Sequence, residues 1–568
     1  MSKTKTADPG KTKTADPGKT QAARSQDEAG TGKAEAKQAK AETRRAKAEA
    51  KQAKAEARQA KADAKKAKAE AKKARAETKQ AKAAAAVAAS APPPAPDPVP
   101  EGAFAPPIRV AYLDKPAHLR TRRERQEAGR ALRVACPREA HAEYRPAARR
   151  RDPVQQLIDS SVGRIEHLVP IRYGRMAASP FAFFRGAAAI MAADLEPTPA
   201  TGQIVQACGD CHLLNFGAFA TPERRVIFDI NDFDETHPAP WEWDLKRLAA
   251  SFAIASLHNG DSPGDAKAAV RAAVLGYAER LAALAAMPTL QAWYDSVDDE
   301  EAVEAFGDKA VQHGARKLRA KAMARSADVE FHKLAQDDGD VPRIRDTPPL
   351  IFHPDEWRVP GFADQVRADV AAYRDSLPPE RRVLLDRYEL ADVAMKVVGV
   401  GSVGTICGVA MLFAAEDDPL FLQLKQARPS VLAPHVNVEA YATEGARVVF
   451  GQRLMQASSD LFLGHLVSAQ GTHLYVRQLR DVKIKPQVEL YRPGTMCDYA
   501  RLTGWALARA HARSGDPALL SGYVGGGQHL ADALADFALA YERQNAADHQ
   551  ALLQALRDGR LEAVFEGA

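Results

Sequence analysis

The stretch from Cys208 to Asp244 combines carboxylates, an amide and a histidine in an order that suits one kind of chemistry. Asp210 and Asn215 lie five residues apart, and a second acidic cluster, NDFDE, starts at Asn231 after the apolar run VIFDI. Phosphoryl transfer requires a carboxylate that orients the attacking hydroxyl, together with an amide and a further carboxylate that hold Mg²⁺ on nucleotide phosphates. The order of residues therefore predicts a phosphotransferase site that uses ATP and Mg²⁺.

Each polar residue of this stretch receives an expected role. We expect Asp210 to position or deprotonate the substrate hydroxyl, and Asn215 to be a metal ligand. Asp232 is predicted to be the main Mg²⁺ ligand, with Asp234 or Asp229 as its partner or rival. Asp and Asn also favour turns and caps. However, several carboxylates beside apolar runs are costly unless a metal or a cation compensates them, and we therefore favour the metal site.

A glycine-rich segment further along the chain predicts a nucleotide loop. Its sequence, GVGSVG, has glycines at GxGxxG spacing: Gly399, Gly401 and Gly404. In a kinase-type loop, strands flank the glycines and a lysine on the next strand grips the nucleotide phosphates. The run FLQLK supplies such a strand, with Lys425 at its end. We expect the acidic partner of Lys425 to be Glu439 or Glu444.

Two other interpretations of the glycine segment stay open. In a dinucleotide-binding fold, a helix would start at Thr405 and Glu416 or Asp417 would bind a ribose. Gly408 and the β-branched residues around it disfavour that helix. The third interpretation is a buried glycine-rich hairpin that binds no ligand.

Further residues could support the site. Asp244 either braces the loop around Asp210 or caps a helix. Arg509 and Arg513 share a helix face and could clamp a phosphate, although a solvated face or structural ion pairs would explain them as well. The basic candidates for phosphate contacts are Arg477, Arg480, Lys483, Lys485, Arg509 and Arg513.

The motif CGDCH at Cys208–His212 matches the pattern for covalent haem attachment. Haem attachment requires export and reachable thiols, and the N-terminus lacks the apolar core of a signal peptide. Zinc is also disfavoured, because no second CxxC or His pair accompanies Cys208 and Cys211. We therefore expect a cytoplasmic protein without haem or zinc.

The elements that must position these residues predict an α+β fold with more helix than strand. Apolar spacing indicates that the folded domain begins near Pro153, with helices over 154–168 and 181–195. The stretch from Cys208 to Asp244, called the catalytic stretch below, is predicted as strand, loop, strand, loop. Helices are expected at 241–259, 263–286, in parts of 300–390 and over the last seventy residues, and strands at 393–425 and 472–480. Residues 397–415 carry no charge but are glycine-rich, which favours a buried hairpin over a membrane span.

The N-terminal part of the chain differs in composition. Residues 1–82 contain 24 Lys/Arg and 11 Asp/Glu, whereas the whole chain has a net charge of +6. The rest is therefore mildly acidic and is not built to coat nucleic acid. Residues 1–90 form a basic low-complexity arm with a seven-residue Ala/Lys/Glu repeat, which predicts a solvated helix or disorder. A polyanion such as nucleic acid could bind residues 33–82. The Pro-rich segment 91–107 is an extended linker.

Several motifs together resemble known families. Residues 209–215 and 232–234 are similar to the catalytic and metal loops of aminoglycoside- and choline-kinase-like phosphotransferases. Over residues 115–560 the chain resembles the bacterial DUF2252 family. The strings that carry this resemblance are SPFAFFRG, CGDCHLLNFG, FDINDFDET, PWEWDLKRLAAS, KVVGVGSVG, GQRLMQASSD, YVRQLRD and ALARAHARSGD. The resemblance implies membership of the protein-kinase-like superfamily, with ATP and Mg²⁺, but it implies no particular substrate.

The order of the motifs is inverted relative to ordinary kinases, because the glycine loop and Lys425 follow the catalytic loop. A circular permutation of the two lobes would explain this order. We therefore predict a bilobal kinase-like fold with a catalytic lobe at 108–390, a glycine-loop lobe at 391–490 and a helical segment at 491–568. If residues 393–425 are not a glycine loop, the fold shares only the metal loops with kinases.

The expected function is ATP- and Mg²⁺-dependent phosphorylation of a hydroxyl on a small molecule or a protein. One alternative is a catalytically silent module that binds nucleotides and regulates another protein. Another is a nucleic-acid-associated protein that acts through its basic arm. No membrane contact is expected.

Overall fold

A computed structural model describes residues 115–323, 334–338, 341–355, 362–397, 399–416, 418–438, 441–479 and 482–565. The predicted arm and linker, residues 1–90 and 91–107, lie outside the described residues. The same holds for Asp417, Glu439 and Arg480. No helix in the described ranges is both long enough and apolar enough to cross a membrane.

The fold is mixed α+β with more helix than strand, as predicted. In chain order, the α-helices of the described residues are α1 (Arg122–Ala135), α2 (Pro153–Asp159), α3 (Val169–Ala177), α4 (Pro180–Gly186), α5 (Ala188–Leu195), α6 (Trp241–His258), α7 (Pro263–Ala286), α8 (Thr289–Tyr294), α9 (Asp299–Glu304), α10 (Lys309–Met323), α11 (Phe362–Asp375), α12 (Pro379–Leu385), α13 (Glu444–Met455), α14 (Pro493–Ala512), α15 (Pro517–Val524) and α16 (Gln528–Arg557).

The strands form small antiparallel sheets. They are β1 (Ile204–Ala207), β2 (Phe216–Ala220), β3 (Val226–Ile230), β4 (His237–Pro240), β5 (Val297–Asp298), β6 (Ala335–Asp338), β7 (Val341–Ile344), β8 (Ile351–Phe352), β9 (Glu389–Lys396), β10 (Cys407–Phe413), β11 (Pro419–Gln426), β12 (Gly464–Val467), β13 (His473–Gln478) and β14 (Lys483–Ile484). Six of them build the largest sheet, in the order β12-β13-β11-β10-β9-β8. The order in the four-stranded sheet is β14-β2-β3-β5, and β1 pairs with β4.

Local sequence explains where the long helices start. A capping box opens α1, because the Thr121 hydroxyl accepts from the Glu124 N–H and the Glu124 carboxylate accepts from the Thr121 N–H. Ser262 and Asp265 form the same arrangement before α7, where Pro263 takes the first helical position. These signals made the bounds of α7 predictable to the residue.

The main core lies among the helices behind the catalytic stretch. Apolar side chains of α6, α7, α14 and α16 share one buried cluster with those of β1 and β3. Small residues let α7 and α14 approach closely: a Cβ on Gly276 would lie 2.4 Å from the Arg501 carbonyl oxygen, and one on Gly504 would lie 2.1 Å from that of Ala273. The catalytic stretch is therefore backed by a tightly packed helical layer.

Two predictions about the N-terminal part of the folded body are wrong: the point at which it begins and the helix over 181–195. The folded body begins well before Pro153, because α1 packs on α15 so closely that a Cβ on Gly129 would lie 2.0 Å from the Leu519 carbonyl oxygen. The helix expected over 181–195 is broken into α4 and α5 at Ala187, where ψ is 30°. Of the residues of α1, Gly129 alone is buried, and a glycine adds no apolar residue to a helical pattern.

Candidate active site

A cavity of about 960 Å³ lies between the six-stranded sheet and the catalytic stretch. Most of the predicted site residues line it, namely Asp210, Asn215, Asp232, Asp234, Gly399, Gly401 and Lys425, whereas Gly404 does not. Ten of the lining residues are Lys or Arg and four are Asp or Glu. The cavity thus gathers residues from two distant parts of the chain and is strongly positive.

The loop that carries Asp210 leaves β1 through a tight turn. Gly209 has φ +83°, and a Cβ there would lie 2.2 Å from the Glu235 carbonyl oxygen, so glycine is required on both counts. The Asn215 amide donates to the Asp210 carbonyl oxygen at 2.6 Å. This bond closes the loop over itself and fixes the direction in which the Asp210 side chain leaves the backbone.

Asp244 braces the loop from behind. Its carboxylate accepts from the N–H of Cys208 at 2.6 Å and from that of Gly209 at 2.9 Å. His511 of α14 lies 3.2 Å from the same carboxylate. The alternative role as a helix cap is wrong, because Pro240 occupies the N-cap position of α6.

Arg247, one turn further along α6, holds the Asp210 carboxylate. The Arg247 Nε donates to Asp210 Oδ1 at 2.7 Å, and the guanidinium lies 4.3 Å from the centre of the Phe184 ring. The second oxygen, Oδ2, lies 3.8 Å from Nε2 of His212. Burial lowers the pKa of His212 to about 4, so the imidazole is neutral at pH 7. One carboxylate oxygen of Asp210 is thus anchored, and the other lies beside an uncharged ring.

The predicted metal segment, residues 231–235, lies directly beside this loop. The Asn231 N–H donates to the Asn215 carbonyl oxygen at 2.7 Å, just beyond the β2–β3 ladder. Burial opposes ionisation of Asp232, but Lys425, Arg477 and Lys483 together hold the pKa of its carboxyl well below its usual range. Asp232 is therefore a carboxylate that borders the cavity next to Asn215.

Asp234 has closer partners than Asp232. Its Oδ2 accepts from Lys425 Nζ at 2.6 Å, whereas Lys425 lies 3.5 Å from Asp232 Oδ1. The Tyr475 hydroxyl donates to the other oxygen of Asp234. Among the described residues, no group of three or more His, Cys, Asp or Glu side chains is arranged to hold a metal ion. Asp232 is consequently the more available of the two carboxylates for a ligand.

Lys425 reaches these acids from the six-stranded sheet. It lies on β11, 3% exposed, and Tyr475 on the neighbouring β13 is its direct partner in the ladder. Burial would lower the pKa of the Lys425 ammonium, but Asp232 and Asp234 raise it well above its usual range. The expected partner Glu444 instead forms an ion pair with Arg447, within α13. The prediction of Glu444 is therefore wrong, and Glu439 lies outside the described residues.

The glycine segment forms the turn of a β-hairpin. β9 and β10 are antiparallel on either side of it, and β10 also pairs with β11. Gly399 and Gly404 have φ +70° and +83°, which only glycine adopts readily. The dinucleotide interpretation is wrong because strand β10, and not a helix, follows Thr405. The arrangement of strand, glycine turn, strand and lysine strand is the predicted one.

The glycine turn is tied to the N-terminal helices. The Gly404 carbonyl oxygen accepts from the Ile165 N–H at 2.7 Å, and the Val403 carbonyl oxygen accepts from Arg164 at 2.6 Å. Arg175 donates to the Gly399 carbonyl oxygen. The turn thus closes one side of the cavity against residues 160–189.

Two predicted phosphate and metal contacts are wrong. Asp229 forms a buried ion pair with Arg509 at 2.7 Å and accepts from the Ala457 N–H, so it does not face the cavity. Arg513 donates to the carbonyl oxygens of Gln456 and Trp293. Both arginines are structural: Arg509 is buried in α14, and Arg513, the residue that caps the end of α14, is half-buried.

Cavity residues that the sequence did not single out lie mainly at the end near the glycine turn. They include Arg164, Arg172, Arg185, Glu235 and Arg428. Burial raises the pKa of Glu235 to about 7. The predicted Arg477, Lys483 and Lys485 also line the cavity, and Arg477 together with burial lowers the pKa of Lys483 to about 7. The arginine in SPFAFFRG was the available signal for Arg185.

The two cysteines of the CGDCH motif are buried. The Cys208 thiol lies 3.4 Å from the Asp232 carbonyl oxygen, between the catalytic loop and the metal segment. Burial raises the pKa of Cys211 well above that of an ordinary thiol. These thiols take part in packing the two loops together.

Comparison with known proteins gives one family. Residues 164–555 match the family described as "Uncharacterized protein conserved in bacteria (DUF2252)", and the chain belongs to this family. Neither the curated proteins nor the solved structures yielded a match. The matched range contains every residue of the site predicted from the sequence.

Proposed function

We propose that this member of the DUF2252 family transfers the γ-phosphoryl group of ATP to a hydroxyl group, with Mg²⁺ as its metal. The observation that carries the proposal is the meeting of Lys425 with Asp232 and Asp234, across one cavity from Asp210 and Asn215. Phosphoryl transfer needs three parts that are present here: a lysine on a strand beside a glycine turn, two acids after a hairpin, and an Asp–Asn loop.

The arrangement of elements supports a kinase-like, bilobal fold in permuted order. One lobe consists of the six-stranded sheet with the glycine turn and α13, and the other holds the catalytic loop, the β2–β3 hairpin and the helical layer. In the chain, the glycine turn and Lys425 follow Asp210 by about two hundred residues, which inverts the usual order. Moving chain ends to exposed loops changes such an order without changing the packing.

In the proposed reaction, the substrate hydroxyl oxygen attacks the γ-phosphorus. A new oxygen–phosphorus bond forms, the bond to the oxygen that bridges the β- and γ-phosphates breaks, ADP leaves, and the hydroxyl proton passes to the Asp210 carboxylate. Arg247 keeps one oxygen of Asp210 fixed. The other oxygen, Oδ2, would receive the proton, because Arg247 holds Oδ1.

The donor set fits Mg²⁺. This ion usually takes one or two protein carboxylates and completes its shell with phosphates and water, so a cluster of three acidic ligands is not required. Asp232 and Asn215 would hold the ion, and Asp234 would remain with Lys425 and Tyr475. When bound, Mg²⁺ neutralises charge on the phosphates. Lys425 would move from Asp232 to a phosphate oxygen. This move would cost little free energy, because Lys425 Nζ already lies 3.5 Å from Asp232 Oδ1.

Calorimetry of ATP binding to the full-length chain, with and without Mg²⁺, tests the proposal. We expect binding that depends on Mg²⁺ in the wild-type protein and falls at least tenfold in Asp232→Ala. The matched control is Asp364→Ala on α11, whose side chain is 79% exposed and paired with Arg367. This control should bind like the wild type.

Absence of ATP binding in the wild-type protein would refute the proposal. If the protein binds ATP but neither hydrolyses it slowly to ADP nor transfers phosphate to any alcohol, the result would instead support the silent nucleotide-binding module.

A further inference from the structure

Four arginines line the end of the cavity near the glycine turn, and too few acidic side chains lie beside them to balance their charge. We call Arg164, Arg172, Arg185 and Arg428 the arginine end. Three of them donate mainly to neutral oxygens: Arg164 to the carbonyls of Ser160 and Val403, and Arg428 to those of Ser160 and Val162. Arg172 donates to serine hydroxyls and to carbonyl oxygens. Carbonyl and hydroxyl oxygens satisfy N–H groups but do not neutralise a guanidinium.

Arg185 is the member of the arginine end closest to the reacting groups. It lines the cavity together with Asp210 and His212, and it is the one of the four whose pKa the Asp210 carboxylate raises. Its Nε is buried and has no hydrogen-bond partner in the described part of the protein. A buried donor of this kind is costly unless a ligand accepts from it.

The charge of the arginine end is only partly compensated. Burial is the largest cause that lowers the pKa of all four guanidinium groups, to about 8 for Arg164 and about 10 for Arg172. Repulsion between Arg164 and both Arg172 and Arg428 adds to it. Glu235 opposes this lowering of the pKa at Arg164 and Arg428, and Asp210, whose carboxylate Arg247 already holds, opposes it at Arg185.

Other cations are available to the triphosphate. Lys425, Arg477 and Lys483 lie around Asp232 at the metal segment, where the nucleotide phosphates are proposed to bind. The arginine end lies at the glycine turn, and its member Arg185 lies on the side of Asp210. A hydroxyl that reaches Asp210 would bring the rest of its molecule to this end.

We propose that the phosphoryl acceptor is an anionic alcohol, which carries a phosphate or a carboxylate besides its hydroxyl, and that Arg185 binds this anionic group. A guanidinium forms paired hydrogen bonds with either oxyanion, and burial strengthens them. Cationic acceptors such as amino sugars and choline are excluded by the same charge. This inference rests on the proposed phosphotransferase function.

Four alcohols on the same three-carbon frame test the acceptor class: glycerol, glycerate, glycerol 3-phosphate and 3-amino-1,2-propanediol. Each is titrated by calorimetry into the full-length protein saturated with Mg²⁺ and a non-hydrolysable ATP analogue, so that the γ-phosphate position is filled. We expect at least one of the two anions to bind tenfold or more tightly than glycerol, and the amine to bind no better than glycerol. The phosphate and carboxylate arms distinguish the two kinds of anion.

Variants of Arg185 assign the binding group. Arg185→Gln should weaken binding of the preferred anion by about tenfold to a hundredfold, because a charge-assisted hydrogen bond is lost. Arg185→Lys should restore part of the affinity, and it covers the case in which the glutamine variant folds poorly. The control is Arg145→Gln, whose side chain is 85% exposed and should not affect binding. The affinity for the ATP analogue should be the same in all of these variants.

Three results separate the ideas. Anions that bind no better than glycerol would overturn the anionic acceptor. A loss of ATP-analogue affinity in Arg185→Gln would reassign Arg185 to the nucleotide and overturn its role at the acceptor. If the ATP analogue fails to bind the wild-type protein, the phosphotransferase proposal fails. The same anion titration without nucleotide then decides whether an anion site at Arg185 survives without it.

Discussion

Acidic residues from one short stretch of chain enter two different environments. Asp229 and Asp244 are each at most 1% exposed and are held by α14, through Arg509 and His511. Asp210 and Asp232, from the same stretch, border the cavity, and their side chains are 22% and 36% exposed. The spacing of acids in the sequence identifies a set of candidate site residues. Burial and ion pairing in the fold then separate the structural acids from those that are available to a ligand.

The largest effect on stability is expected at Asp229. Asp229→Ala should lower the free energy of unfolding by about 3–5 kcal/mol, because it leaves the buried Arg509 guanidinium without its counter-charge. Urea denaturation followed by circular dichroism measures the change. The double variant Asp229→Asn/Arg509→Met removes the charge of both partners and keeps an acceptor for Ala457, so it should recover most of the loss. A normal midpoint for Asp229→Ala would show that the pair is not a structural element.

An intermediate effect is expected at Asp244. Asp244→Asn keeps one acceptor oxygen but replaces the other with an N–H₂ group that faces the N–H of Cys208 or Gly209. We expect a loss of about 1–3 kcal/mol in stability together with slower turnover, because the loop that carries Asp210 loses its brace. Thermal melting and ATP turnover are measured on the same sample. Reduced stability with unchanged turnover would contradict the bracing role.

The smallest effect on stability is expected at Asp210. Asp210→Asn retains an acceptor for Arg247, which also donates to the Phe184 carbonyl oxygen at 3.0 Å. The change in unfolding free energy should be about 1–2 kcal/mol, because the buried Arg247 guanidinium loses its counter-charge but keeps both acceptors. Phosphoryl transfer should nevertheless fall by about 10²–10⁴-fold, because the proton acceptor is lost. A variant that transfers phosphate at the wild-type rate would remove Asp210 from the proposed mechanism.

Much of the fold could be predicted where the signal is local. A capping box and a proline marked α7, and the glycines with a strand on either side marked the β9–β10 hairpin that precedes the Lys425 strand. The loops around Asp210 and Asp232 were also predictable, since both follow short apolar runs. These features depend on residues within one or two turns of each other, so the sequence contains their whole cause.

The rest depends on partners far away in the chain. Arg509 lies 280 residues from Asp229, and nothing near either residue indicates that they pair. The same reason hid the partners of Lys425, which are 191 and 193 residues distant, and led to Glu444 instead. The arginine end was missed because its members come from separate helices and turns, and none of them forms a motif alone.

The ion pair between Asp229 and Arg509 also sets an order of events during synthesis. The ribosome makes the catalytic loop, β3 and α6 long before it makes β11 and α14. Until Arg509 emerges, the Asp229 carboxylate lacks the guanidinium that pairs with it in the finished protein, and Asp244 still waits for His511. Contacts that span so much chain form late and slowly. The loops around the cavity are therefore completed only when nearly the whole chain has been translated.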